Sequence, residues 1–323
     1  MVSSWKSAGE TESKTYSYGV KFVLSDAQQK ILKYNNPDKS LSNPYYEGQK
    51  LGEIWGYKTI GIAQSDEEMK EWLTSNKPNW GSKWQAGDVK YKDLTGEGEV
   101  TPGASTLENH GDLKRIGNNS PRYRVGLNLD AAWKGIDFSI FFQGVLKRDW
   151  MFDAGDPYFW GAGSGMWQAA CFEEHMDYWT PENTDAYYPK PYFNETKNQQ
   201  AQDAYMQKAS YLRCKNIQLG YTLPTHITEK AGISNCRIYL SCDNLFTITG
   251  LSSVYDPEAF GSYDGYGTSG KTYPLQRTIS VGVNLNFLNL LTEDYYEIKY
   301  KKRRRLPFVG RDIVDGYILQ RFA

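Results

Sequence analysis

No stretch of eighteen apolar residues occurs anywhere in the 323 positions of this chain, so a membrane-spanning helix is excluded. Charge of one sign is not in excess either: 37 Lys and Arg stand against 38 Asp and Glu, a formal net charge of −1. Nucleic acid or an anionic surface is therefore not suggested by overall charge. Histidine and cysteine are scarce, at three and four. Cys171, Cys214, Cys236 and Cys242 form no C-x-x-C pair, and the expected strand geometry sets Cys236 and Cys242 too far apart along one face to bond. They read as isolated small apolar residues, not as a zinc site or a disulfide framework. No G-x-S-x-G, H-E-x-x-H or phosphate-binding glycine loop is present. The opening MVSSWKSAGETESKTYSYG lacks a basic segment followed by an apolar one and so does not read as a signal peptide.

What the chain has instead is aromatics, 15 % of its residues with 25 Tyr and 10 Trp, and alternation. In LQRTISVGVNLNF (275–287), Leu275, Ile279, Val281, Val283, Leu285 and Phe287 fall on odd positions and no even position is apolar. A strand shows one face every second residue. This is a strand with one greasy face and one wet face, ending on an aromatic, as in outer-membrane barrels. Tyr16, Tyr18, Val20, Phe22 and Leu24 repeat the pattern, and Gln29 to Asn35 forms a weaker strand. Tyr123, Val125, Leu127, Leu129, Ala131 and Trp133 share a face, the two-residue turn Lys134-Gly135 follows, and Ile136, Phe138, Ile140, Phe142, Gly144 and Leu146 share the next. Alternation returns at Asn216–Leu223 and again from Cys236 to Ile248.

The reading is all-β: about seven antiparallel strands, the stronger ones long enough to cross a lipid-facing band of roughly 25 Å at about 45° of tilt. Short connections (26–28, 134–135, 224–235) alternate with long ones (36–121, 148–209, 249–274). Outer-membrane barrels keep short turns in the periplasm and long loops outside. Phe287 is accordingly expected at the periplasmic rim. A soluble antiparallel sheet with one buried face alternates too, but its strands are usually shorter.

Several segments resemble, in order, the C-terminal half of SusC/RagA-type TonB-dependent transporters. They are GEIWGYKTIGIAQSDEE (52–68), GDVKYKDLTGEGE (87–99), IGNNSPRYRVGLNLDAAWKGIDFSIFFQGVLKRD (116–149), YWTPENTDAYYP (178–189), SYLRCKNIQLGYTLP (210–224), the run 232–246 with its DNLF, and YPLQRTISVGVNLNF (273–287). The resemblance implies the C-terminal part of a large transmembrane β-barrel that imports oligosaccharides or oligopeptides. It also implies a SusD-like surface lipoprotein as lid, outer-membrane lipid around the wall, and TonB acting through an N-terminal part that this sequence lacks. Phe287 would mark the chain for barrel assembly. Residues 1–287 are expected to form the barrel part and 288–323, with KYKKRRR (299–305), an anomalous basic extension outside it. The chain reads as a truncated transporter component, not an enzyme, beginning at an internal Met, without plug or TonB box, without cofactor, and not transport-competent alone. Two alternatives are a soluble secreted β-protein that binds or degrades glycans and a TonB-dependent siderophore or cobalamin receptor.

Other motifs have bland readings. DLTGEGE (93–99) looks like a calcium loop, but its twelfth position is Ala104 where a bidentate acid belongs, so a turn is expected. CFEEHMDYW (171–179) gathers possible metal ligands in what reads as a polar outer loop, and no metal is assigned. Asp153 and Asp156 could serve glycosidase chemistry only at a separation the sequence does not give. Aromatics crowd the same loop, and Trp150, Tyr158, Trp160, Trp167 and Trp179 are the candidates for ligand or lid contact. KYKKRRR could attract nucleic acid, but no nucleic-acid partner is assigned.

Overall fold

Lys134 and Gly135 both have positive φ, 49° and 87°. Such a pair of residues matches the twist of two antiparallel strands and closes the tightest hairpin. Around it the computed structural model, which describes residues 3–7, 16–164, 171–193, 195–259 and 275–287, builds a predominantly β fold. Its main sheet has nine strands, seven of them in a row. We label that row β1 (Ser3–Ser7), β2 (Tyr16–Ser25), β3 (Arg122–Trp133), β4 (Ile136–Lys147), β5 (Gln207–Thr222), β6 (Ile233–Asp243) and β7 (Thr278–Phe287). Spatial order follows chain order. The short strands Asp149–Trp150 and Thr247–Gly250 pair with β5 off this path.

Register aligns the apolar positions into rows. Tyr18 faces Ala131 and Ala131 faces Phe138; Val20, Leu129 and Ile140 form the next row, and Phe22, Leu127 and Phe142 the one after. The other face carries rows such as Gly19, Asp130 and Ser139. A one-residue slip would put every apolar side chain on the polar face. A soluble sheet would bury the apolar rows against a second layer. Here Tyr16, Tyr18, Val20, Phe22, Trp133 and Ile136 are exposed, as are Leu219, Leu240, Ile279 and Val281.

The row begins one strand earlier than the alternation indicated. Gln29–Asn35 is not a strand; it contributes one isolated bridge, Lys30 with Lys50. Ser3–Ser7 supplies the strand beside β2. The connection after Ser25 is therefore a single long one, 26–121. With 148–206 and 244–277 it leaves the sheet from the end that carries Ser25, Arg122, Lys147, Gln207, Asp243 and Thr278, while Lys134-Gly135 turns at the other end. The short-and-long alternation holds.

Two compact units are distinguished. The larger comprises Met1–Gly220 with Tyr239–Gly282, and the smaller Tyr221–Ile238 with Val283–Ala323. In the smaller unit, a helical turn (Thr225–Thr228) lies between strand ends, the Leu223 amide donates to the Cys236 carbonyl at 2.8 Å, and the Ser234 hydroxyl donates to the Asn286 carbonyl at 3.0 Å. The tail 288–323 and the loop 260–274 lie outside the described residues.

Candidate functional site

The hydrophobic core lies mainly in the long connections; Trp150 and Ala209 join it from the sheet. Tyr57, Met69, Trp72, Val89, Tyr91 and Val100 come from the first connection. Phe152, Phe159, Trp160, Tyr188 and Tyr205 come from the second, and Leu251 and Tyr255 from the third. Helix α1 (Asp66–Leu73) shows how one piece forms: the Ser65 hydroxyl accepts the Glu68 amide at 3.2 Å, three acids occupy the first turn, and Met69 and Trp72 are buried. The Trp72 indole donates to the Tyr91 carbonyl at 3.1 Å.

Buried polar groups tie the connections together. The Lys197 ammonium lies 2.9 Å from the Asp88 carboxylate, donates to the Ser82 and Lys83 carbonyls, and sits 4.1 Å from the Tyr192 ring centre. Asn198 donates to Asp88 at 2.9 Å and accepts the Val89 amide at 3.0 Å. The Thr59 hydroxyl donates to Gln202 at 2.8 Å. These bonds satisfy groups that would otherwise be costly to bury.

The acidic loop is a turn held by amides. Asp93 accepts from Gly96 at 2.6 Å and Gly98 at 2.7 Å, and the fully buried Asp112 accepts from Leu94 and Thr101. Burial raises the Asp93 carboxyl, but the Gly96 and Gly98 amides outweigh it and hold the group below its usual range. Among the described residues, no three metal-ligating side chains converge. Asp156 accepts the Phe159 amide at 2.9 Å and the Tyr255 hydroxyl at 2.9 Å, so it ties the second connection to the third. Burial pushes its carboxyl up.

Within this loop body a cavity of about 300 Å³ opens beside Trp160 and is lined by Tyr178, Tyr188, Tyr192, Met176 and His175, among others. The helical turn Glu173–Met176 positions the histidine: its Nδ1 accepts the Phe172 amide at 3.1 Å. That leaves the ring proton on Nε2. The residue is 7 % exposed, and Nε2 is buried with no partner among the described residues.

The five aromatics named from the sequence lie in different settings. Trp160 forms a cavity wall and donates to the Asp153 carbonyl at 3.1 Å. Trp179 is buried, donates to Gln64 at 2.9 Å, and covers Gly87, where a Cβ would come within 2.5 Å of its ring. Trp150 is buried under the Arg148 guanidinium, 5.0 Å from the ring centre. Tyr158 stacks on Phe172 at 5.7 Å, and Trp167 lies outside the described residues. Tyr188 belongs to the same crowd of aromatics without being one of the five, and it lines the cavity. His175 stood in the cluster weighed for metal, where its signal was a lone imidazole beside aromatics.

No family model matches the chain. It is 29 % identical over 248 residues to TonB-dependent receptor P3 of Formosa agariphila, covering 75 % of this chain and 22 % of that protein. TonB-dependent receptor P26 of the same organism is 25 % identical, with 74 % of this chain and 23 % of that protein covered. The chain thus spans about a quarter or less of the length of these relatives. Among solved structures it superposes on the RagAB peptide transporter with a TM-score of 0.58 at 19 % identity, covering 88 % of this chain and 28 % of that one. The RagAB peptide importer in its open-open state gives 0.57, also at 19 % identity, with the same shares of each chain covered.

Proposed function

Because this chain is a relative of the TonB-dependent receptors and has the fold of a stretch of the RagAB barrel, we propose that it forms wall strands and outer loops of an outer-membrane, TonB-dependent importer of oligosaccharides or oligopeptides. The observation that carries this reading is the apolar face of the sheet, aligned in rows across β2, β3 and β4 and exposed or half-buried rather than packed into a core, with most of the core held instead in loops at one end. Lipid covers that face; the polar face borders a watery lumen. The long loops lie outside the cell and the Lys134-Gly135 turn in the periplasm. Residues 1–287 belong to the barrel, Phe287 ends its last strand, and 288–323 stand apart from it.

In this reading the chain acts with a SusD-like lipoprotein over the loops and is moved by TonB through parts of the protein that are not in this sequence. It is a transport component and not an enzyme. The relatives' names support that class, and the name of the solved neighbour, a peptide transporter, supports the peptide branch of the substrate choice. Deleting the gene and measuring uptake of labelled oligopeptides and oligosaccharides tests it. Loss of uptake for one class is expected; unchanged uptake of both contradicts the importer reading.

A further inference from the structure

We propose that the cavity beside Trp160 is a subsite for one neutral pyranose ring of an oligosaccharide, whose flat C–H faces lie against aromatic walls and whose hydroxyls bond to Tyr178, Lys190 and Glu195. The proposal rests on the importer reading and takes the saccharide branch of its substrate choice. The peptide named for the solved neighbour, 19 % identical, weighs less here than the cavity's own side chains.

Three observations carry it. The first is size and shape. At about 300 Å³, the cavity stands at the small end of ligand pockets, which span roughly 300–1,000 Å³, so it holds one ring of a chain. Its walls include the rings of Trp160, Tyr178, Tyr188 and Tyr192. A parallel bridge between Tyr178 and Tyr188 fixes two of them side by side.

The second is the state of the polar lining. Gln199 donates to the Gly163 carbonyl and accepts the Gly155 amide, and Asn198 is held by Asp88 and Val89. The Tyr178 hydroxyl, the Lys190 ammonium and the Glu195 carboxylate differ: they belong to half-buried residues and have no hydrogen-bond partner or ion pair among the described residues. The Lys190 ammonium lies 5.9 Å from the Tyr192 ring centre. None of the three groups is sealed from solvent, whereas His175 Nε2 is sealed and takes no part. The Tyr188 hydroxyl is open as well, and its ring borders both this cavity and the hollow beside Glu174 and Asp177.

The third is rigidity. Lys190 stands between Pro189 and Pro191, whose rings fix φ, and its amide donates to the Gly87 carbonyl at 2.9 Å. The segment that presents the ammonium is therefore set before a ligand arrives, which lowers the ordering cost of binding.

A pyranose is apolar on its faces and carries hydroxyls around its rim, each of which needs a partner when buried. Lys190 supplies donors, Glu195 acceptors, and the Tyr178 phenol both. One ammonium and one carboxylate leave the lining balanced in charge, so a charged ligand group would meet a like charge beside its partner. An aliphatic or aromatic side chain would cover the same polar groups without bonding them, which is costly. A neutral ring bearing hydroxyls satisfies both walls and rim.

Cys171 lines the cavity and is exposed, while Cys214, Cys236 and Cys242 are buried. In detergent-extracted membranes of cells that make the chain, the rate of Cys171 alkylation by a fluorescent maleimide reads occupancy. The probes are the methyl glycosides of glucose, galactose, mannose, xylose and N-acetylglucosamine, compared with sorbitol and acetyl-phenylalanine-amide. At least one glycoside is expected to slow alkylation at millimolar concentration, the range of a ligand this small. Sorbitol has hydroxyls without a ring face, and acetyl-phenylalanine-amide has a ring face without hydroxyls; each should need about tenfold more. Lys190→Met and Glu195→Gln should each raise the glycoside concentration required by about tenfold. Ala162→Trp, at an exposed position on the cavity wall, should fill the space and abolish protection. Each variant is first labelled without saccharide, and Cys214, Cys236 and Cys242 that stay unlabelled show the fold intact. No protection by any glycoside, equal or better protection by sorbitol or acetyl-phenylalanine-amide, protection unchanged in both Lys190→Met and Glu195→Gln, or protection that survives Ala162→Trp overturns the proposal. Labelling needs no transport, so a failed subsite leaves the gene-deletion uptake result intact, and a failed importer reading appears only in uptake.

Discussion

The Lys197 ammonium meets the Asp88 carboxylate at 2.9 Å with side chains 1 % and 0 % exposed. Asp88 comes from the first long connection and Lys197 from the second, so one ion pair joins segments that are distant in sequence. Removing one partner of such a pair strands the other charge and costs about 3–5 kcal/mol. Lys197→Met and Asp88→Asn should each destabilise the loop body by about that much, read as lowered thermal midpoint and faster proteolysis within 26–121. The double variant should recover part of the loss. Single variants within about 0.5 kcal/mol of the parent, the range of inert surface changes, would show that the pair does not hold the loops.

Leu129 sits in the middle apolar row, between Val20 and Ile140. A charge on the lipid face near the bilayer midplane costs about 2–4 kcal/mol, whereas lumen positions tolerate change. Leu129→Arg should sharply lower the folded fraction in membranes, measured by heat-modifiable migration, and Asn128→Arg should not. Equal effects from the two neighbours would contradict the assignment of faces.

Gly135 holds φ at 87° in the turn between β3 and β4. A Cβ in the left-handed region costs roughly 1–2 kcal/mol. Gly135→Val should slow barrel formation and lower its stability by about that amount, while Lys134→Asn, the residue such turns prefer, should leave stability unchanged or raise it. An inert Gly135→Val would mean that the turn is not formed as described.

Asp256 accepts from Arg213 at 2.8 Å and from the Glu258 amide at 2.9 Å, which pins the third connection onto β5. Burial raises its carboxyl, but the Glu258 amide, the Arg213 guanidinium and the Leu275 amide outweigh burial and hold it below the ordinary 3.8. The folded state thus takes up this proton less readily than the unfolded chain. The stabilisation is complete above the ordinary value and is lost as pH falls through the lower folded value. Proteolysis within 244–259 should accelerate on acidification below about pH 4, and Asp256→Asn should be fast already at neutral pH. A parent cleaved at the same slow rate across that range would contradict the linkage.

The sheet was legible in the sequence where both of its faces were chemically distinct. Rows such as Val20, Leu129 and Ile140 announce themselves because one face carries an apolar residue at every second position. Gln29–Asn35 misled because Ile31 and Leu32 are adjacent apolar residues without alternation; Leu32 is 81 % exposed. Ser3–Ser7 has a single large apolar residue and gave no signal. β5 begins at Gln207, well before Asn216, because the third connection covers its early residues and Arg213 and Lys215 pair with Asp256 and Glu258. Charged strand residues hide a period that hydrophobicity would reveal. Near the end of β6, Asn244 with φ of 52° turns the chain so that Thr247–Gly250 pairs with β5, where alternation resuming at Phe246 and Ile248 indicated one strand.

The loop body was not legible. Its organising contacts, Asp88 with Lys197 and Thr59 with Gln202, join residues more than a hundred positions apart, and no local pattern encodes such a pairing. Aromatic crowding marked the connection that lines the cavity beside Trp160. Which ring would line a cavity and which would serve as packing depended on Gly87 beneath Trp179 and on the turn that sets His175.

Lipid contact along β3 bears most directly on whether this is a barrel wall. Residues 124–131 are replaced one at a time by cysteine, labelled with a fluorophore, and quenched with brominated lipid in the membrane. A lipid-facing odd face gives strong quenching at Val125, Leu127, Leu129 and Ala131 and weak quenching at Arg124, Gly126, Asn128 and Asp130. Uniform quenching, or water accessibility at all eight positions, would contradict it.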